Sequence, residues 1–242
     1  MLEDENYQNT EEILDDLFLL FIAGSKTVQG TTSNLITTMQ HYPEENKRML
    51  AEVDPFMESV KDDLLGKMTM EAVEQLEYVK SAYLESLRRN TPAPMGGTAC
   101  MTKDVRIKGI DFRAGDAFWI MTHMIHQEPE QWREPDRFVP DRFDPASEWF
   151  KKPDGGKRSP FAFVPFFGGV RVCLGKTFAE VTLRTTLPLW FHFFDFEMLN
   201  DEQKRNQPIV RMGAPKSVEI PMKLKTRHKI DDLSNINLKG SS

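Results

Sequence analysis

The chain has 242 residues, 40% hydrophobic and 28% charged, with a formal net charge of −6. That length can bury a sizeable core, and the acidic balance argues against general nucleic-acid binding. Two cysteines, Cys100 and Cys173, exclude a disulfide framework and a four-cysteine metal site, and the longest apolar stretch, Leu17 to Gly24, is far short of the ~20 residues a membrane span needs.

In chain order, residues 1–9 read as a disordered acidic lead. Thr10 is placed to cap a long first helix, with Glu11 and Glu12 in its first turn, where carboxylates suit the helix dipole. That helix ends near Pro43. Pro43 suits the first turn of a second helix, which Pro55 is expected to break or kink. Thr69 caps a third helix, predicted from Met70 to about Arg89 on the apolar stripe Val73, Leu76, Val79, Tyr83 and Leu87. Pro92 and Pro94 end it. Short strands follow, with turns at Lys108-Gly109 and Ala114-Gly115. A Pro- and Asp-rich irregular stretch covers about residues 127–165. Another helical run starts at Leu174, with a kink or an end expected at Pro188. Phe194 to Lys225 reads as short strands, and residues 228–242 as a frayed polar tail. The fold class is mainly α with a small β portion.

The densest signal surrounds Cys173. Phe166-Phe167-Gly168-Gly169-Val170-Arg171-Val172-Cys173-Leu174-Gly175 fits F-x-x-G-x-R-x-C-x-G. A lone cysteine is most often a small buried hydrophobe, but here five positions match together. Glu85 and Arg88 form E-x-x-R, with both side chains on one face of the third helix; alone, such a pair is commonly a solvated ion pair of little worth. Downstream comes Pro140-Asp141-Arg142-Phe143. On the first helix, Ala23-Gly24-Ser25-Lys26-Thr27 places a threonine hydroxyl within reach of the carbonyl four residues earlier; in isolation this is a small-residue packing face.

Four ordered motifs together resemble the cytochrome P-450 family, the haem-thiolate monooxygenases. The likeness runs from about Ile13 to Lys225 and covers the C-terminal half of that fold: distal helix, E-x-x-R helix, meander, cysteine loop and proximal helix. It implies haem b (iron protoporphyrin IX) with Cys173 as the thiolate ligand to iron, a choice that favours O–O cleavage. Arg171 would bind a propionate through its fixed fork of donors. Phe166 would cover the sulfur, Gly169 would allow close backbone approach, and Gly175 would let the next helix lie tight against the macrocycle. Glu85, Arg88 and Arg142 would form a structural triad bracing the loop. Ala23, Gly24 and Thr27 would form the distal oxygen-binding motif, with Gly24 making room and Thr27 helping to deliver protons.

The sequence departs from the family pattern at Lys26, where an acid is usual, which puts the usual proton route in doubt. It departs again at Thr98, Ala99 and Cys100, where many members carry a propionate-binding arginine; Cys100 itself reads as an ordinary small residue. His126 and Trp132, in a segment like the family's H-x-D-P-x-x-W, are expected to pack and hydrogen-bond rather than ligate. Lys151, Lys152, Lys157, Arg158, Lys176 and Arg184 form either a docking patch for an acidic electron donor or a solvated basic face.

Several functional readings stay open. One is the C-terminal portion of a monooxygenase, hydroxylating a small hydrophobic substrate with O2 and electrons from an NADPH-dependent reductase or other donor. A haem-thiolate isomerase or lyase is its near relative. The other is a non-catalytic truncated remnant acting through protein contacts, since only half of the fold is represented and the chain reads as a fragment. Membrane association is expected only through a segment absent from the chain, at the cytoplasmic face of the endoplasmic reticulum if the parent is a eukaryotic microsomal member.

Overall fold

In the computed structural model, which describes residues 7, 9–96, 98–199 and 221–227, Asn9 rather than Thr10 caps the first helix. Its side-chain oxygen accepts from the Glu12 amide at 3.1 Å, and Thr10 is the first residue inside α1 (Thr10–His41). The lead before residue 7 and the tail after residue 227 lie outside the described residues.

The described residues divide into two units, one built from residues within 7–80, 174–198 and 222–227, the other from residues within 81–173 together with 199 and 221. The first unit is built on α1, α2 (Pro43–Val60) and α7 (Lys176–Phe193), which pack on one another. Their buried side chains include Leu35, Met39, Met49, Val53, Leu183, Leu187 and Phe191. Two prolines fail to stop these helices. α2 continues through Pro55 to Val60, and α7 continues through Pro188 to Phe193. Each loses one amide donor, but both helices bury an apolar face, and Pro188 is itself buried. Tertiary packing outweighs the local penalty.

The predicted third helix is interrupted. α3 (Leu64–Lys67) and α4 (Met70–Val73) are short, and α5 runs Glu77–Arg89. Thr69 does cap α4, accepting from the Ala72 amide at 3.3 Å. The break has a visible cause on α2: the Glu52 carboxylate accepts from the Tyr78 and Val79 amides at 2.9 Å each. A carboxylate supplied from outside satisfies the first-turn donors of α5 and suits its dipole, so the helix starts afresh there.

β5 (Phe194–Met198) and β6 (Met222–Thr226) pair antiparallel, Phe194 opposite Thr226. Behind them Asp54 of α2 binds His192 of α7 at 2.9 Å and both outer nitrogens of Arg227 at 2.8 and 2.9 Å. This clamp ties the end of β6 to two helices.

The second unit holds the rest of α5, two small antiparallel ladders and a long irregular stretch. β1 (Thr98–Cys100) pairs with β4 (Ala117–Trp119), and the hairpin β2 (Val105–Ile107) and β3 (Ile110–Phe112) lies between them in sequence. Lys108 and Gly109 make the predicted two-residue turn, both at positive φ (47° and 85°), the geometry that matches strand twist. Gly115 completes the second predicted turn. A short helix, α6 (Thr122–His126), was not foreseen. Residues 127–165 contain no α-helix or strand, only 3-10 turns at Pro140–Phe143 and Glu148–Phe150. The fold is mainly α with a small β portion.

Candidate haem-thiolate site

The second unit is organised around one buried carboxylate. Glu85, Arg88 and Arg142 are brought together with no solvent exposure. Arg88 grips Glu85 with two parallel bonds, Nε to Oε2 at 2.7 Å and Nη2 to Oε1 at 2.9 Å. Arg142 Nε donates to Oε1 at 3.2 Å, and the Val139 amide donates to the same oxygen at 2.9 Å. Further guanidinium donors go to backbone carbonyls, Arg88 to His126 and Pro135 and Arg142 Nη2 to Glu134, while the buried Arg142 Nη1 has no hydrogen-bond partner among the described residues. Burial lowers the Arg142 guanidinium from its usual value, while Glu85 opposes the shift.

Arg158 is half-buried beside this cluster, which corrects both of its expected settings, a docking patch and a solvated basic face. It donates to the carbonyls of Trp149 and Arg142 and lies 4.3 Å over the Trp132 ring. Burial, then repulsion from Arg142, brings it down to about 10. Arg184 faces Glu74 at 3.6 Å, and Lys152 binds Asp154 at 2.5 Å. Of the six predicted basic residues, Lys151, Lys157 and Lys176 stand in solvent. Sequence neighbourhood around the cysteine hid these separate destinations.

His126 links this cluster to the cysteine loop. Its carbonyl takes the Arg88 bond at 2.8 Å, and its ring Nε2 accepts from the Val164 amide at 3.0 Å. An Nε2 that accepts leaves the proton on Nδ1, so the ring is neutral. Burial, reinforced by the Arg88 charge, pushes it down to about 3. Trp132 is buried against Phe143 and Phe163.

From Val164 the chain turns into the loop. The Phe167 amide returns to the Val164 carbonyl at 3.1 Å, and the Cys173 amide donates to the Phe166 carbonyl at 2.9 Å. That second bond closes the loop at its base. Within it Gly168 is extended and Gly169 takes φ 66°, a left-handed angle that favours glycine. Gly169–Arg171 form a 3-10 turn. The Cys173 thiol is exposed. α7 begins three residues later at Lys176, with Gly175 as its N-cap, so Cys173 precedes the helix rather than sitting in its first turn. Arg171 is exposed and has no ion pair among the described residues. Phe166 is half-buried.

The distal motif lies on α1. Thr27 Oγ1 donates to the Ala23 carbonyl at 2.7 Å, the i−4 bond its spacing predicts. α1 runs unbroken through these residues. Gly24 faces the Phe178 ring of α7, which a Cβ there would meet at 3.8 Å. Lys26 is exposed. Thr98, Ala99 and Cys100 lie in β1, with Cys100 exposed opposite Ala117.

Sequence reasoning missed Gly96. Phe167 stands at φ 60°, and its ring sits against the Gly96 Cα, where a Cβ would overlap it. Nothing in the spacing of residues 96 and 167 signals this contact.

The cytochrome P450 family model matches residues 1–221. The chain belongs to the cytochrome P450 family. Rat thromboxane-A synthase is 31% identical over 193 residues, spanning 80% of this chain and 34% of that protein. Cytochrome P450 71A8 of Mentha piperita is 32% identical, spanning 74% and 34%. Human cytochrome P450 3A7 is 25% identical, spanning 97% and 45%. The structure of cyanobacterial CYP120A1 with retinoic acid bound superposes with a TM-score of 0.74 at 25% identity, covering 92% of this chain and 48% of that one. The chain thus spans about a third to a half of the length of these P450 relatives. No helix among the described residues is long and apolar enough to cross a membrane.

The cysteine loop fits a haem. It offers one thiol in solvent, one uncommitted guanidinium two residues before it, and two glycines with no atom within 4 Å of a built Cβ. A soft thiolate donor suits iron.

Proposed function

We propose that this P450 chain is the C-terminal, haem-binding portion of a haem-thiolate monooxygenase. The observation that carries the proposal is the closed loop that holds the Cys173 thiol in solvent, tied through His126 to the buried Glu85 cluster. Haem held by a thiolate supplies oxygen activation for hydroxylation of a C–H bond. Cys173 supplies the sulfur. The bond from its amide to the Phe166 carbonyl fixes the backbone on either side of the loop, and the Phe166 ring would cover the sulfur once haem is bound. Arg171 would pair its guanidinium with a propionate carboxylate. Glu85, Arg88 and Arg142 hold the meander against α5, so the segment feeding the loop has one geometry. Thr27, whose hydroxyl donates to the Ala23 carbonyl, would act as a proton relay, giving up its Oγ1 proton as it takes one from water.

The substrate is a small hydrophobic molecule, the co-substrate O2, and the electron donor an NADPH-dependent reductase or an equivalent. Lys151 and Lys157 are two exposed cations of the second unit that would meet an acidic donor. Lys26 favours a second reading, a haem-thiolate isomerase or lyase, because an ammonium has donors only and cannot pass protons as a carboxylate does. Oxygen uptake against peroxide rearrangement separates the two.

The test is haem reconstitution of the full chain. The reduced, carbon monoxide-bound protein is expected to show the red-shifted Soret band of a thiolate ligand, lost in Cys173→Ala and kept in Cys100→Ala. Well-folded chain that takes up no haem overturns the reading.

A further inference from the structure

Phe167 carries two features that together need a reason. It is a bulky residue at φ 60°, where a Cβ is crowded and only small or polar residues settle easily. Its ring also lies directly on the Cα of Gly96. Gly96 is pinned in turn: its amide donates to the Ile120 carbonyl at 2.6 Å, and that carbonyl oxygen would stand 2.9 Å from a Cβ on Gly96. The segment after α5 is therefore held close to the backbone at Ile120, and the bare Cα of Gly96 forms the seat for the ring. Phe167 directly follows Phe166, whose carbonyl receives the Cys173 amide. A torsion change at residue 167 moves that carbonyl and the loop closure with it.

We propose that Phe167 is a positioning residue for Cys173. The ring, seated on Gly96, holds residue 167 in its left-handed conformation, and that conformation sets the loop that presents the sulfur. The seat offsets the backbone strain, and the contact acts as a second anchor beside the His126–Val164 bond. The functional half of this proposal rests on the thiolate reading given above.

The experiment is a double-mutant cycle in the full chain, Gly96→Ala against Phe167→Ala, read by two measurements. The first is the thermal midpoint of the haem-free protein. Gly96→Ala is expected to lower it by roughly 3–10 °C, since an added methyl overpacks the seat. In the Phe167→Ala background the same change is expected to lower it by less than half as much. Additive shifts overturn the contact. The second is the fraction of thiolate-type Soret band after reconstitution. Gly96→Ala is expected to lose half or more of that band to the form without a thiolate, and Phe167→Leu, which keeps an apolar seat-filler, to lose less than Phe167→Ala. Coupled midpoints with an unchanged band in every variant overturn the positioning role and leave a packing contact. A thiolate-type band that survives Cys173→Ala overturns the ligand reading instead, so the two failures are distinct.

Discussion

Glu85 is one carboxylate beside two buried guanidiniums, those of Arg88 and Arg142, with the half-buried Arg158 next to them. The surplus positive charge is tolerated because carbonyl oxygens of His126, Pro135, Glu134, Trp149 and Arg142 point at it. Removing the carboxylate leaves Arg88 and Arg142 fully buried without a counter-charge. Glu85→Ala is expected to cost about 3–5 kcal/mol of stability, measured by urea unfolding. His126 makes a pH-dependent contribution whose sign follows from its environment. Its imidazole sits at about 3 in the fold against an ordinary 6.5, so the unfolded chain takes up the proton first as pH falls. Stability from this residue is complete above about pH 6.5 and is lost at up to about 1.4 kcal/mol per pH unit below it. His126→Gln keeps an acceptor for the Val164 amide and removes the titration. The stability difference between wild type and this variant is therefore expected to change by about 2 kcal/mol between roughly pH 6.5 and pH 4.5; parallel curves would contradict the neutral, buried ring.

At the scale of elements, what the sequence made legible was what neighbouring residues decide. The Lys108-Gly109 hairpin turn, the Thr69 cap and the Thr27 bond to Ala23 each close within a few residues. The crossings of Pro55 and Pro188 and the break before α5 were not legible, because partners far along the chain decide them. Glu52 is 26 residues from Tyr78, and only folding brings its carboxylate to the α5 terminus. Glu52→Ala removes both first-turn acceptors and is expected to destabilise the protein by about 1–2 kcal/mol, with faster hydrogen exchange at the Tyr78 and Val79 amides than elsewhere in α5. The same distinction applies at the site. The F-x-x-G-x-R-x-C-x-G pattern announced the loop, but its tethers to His126 and Gly96 join residues 38 and 71 positions apart, and a single sequence carries no mark of such pairs.

At the scale of the molecule, the first half of α1 stands out. Leu14, Leu17, Phe18, Leu19, Leu20, Phe21 and Ile22 are each 42–72% exposed, a contiguous apolar stretch of the kind that drives association in water. The isolated chain is expected to self-associate with rising concentration, and Phe18→Ser with Phe21→Ser to reduce light scattering severalfold; a wild-type chain monomeric at high concentration would contradict this. Family, fold class and loop were readable because four motifs occur in order, whereas the substrate has no such motif. The proposed haem site rests on a single sulfur-to-iron bond. Iron-edge X-ray absorption of the haem-loaded full chain reads that bond itself. One sulfur neighbour at iron is expected, lost in Cys173→Ala and kept in Cys100→Ala. A first shell of nitrogen and oxygen alone in the wild type, or a sulfur neighbour retained without Cys173, would contradict it.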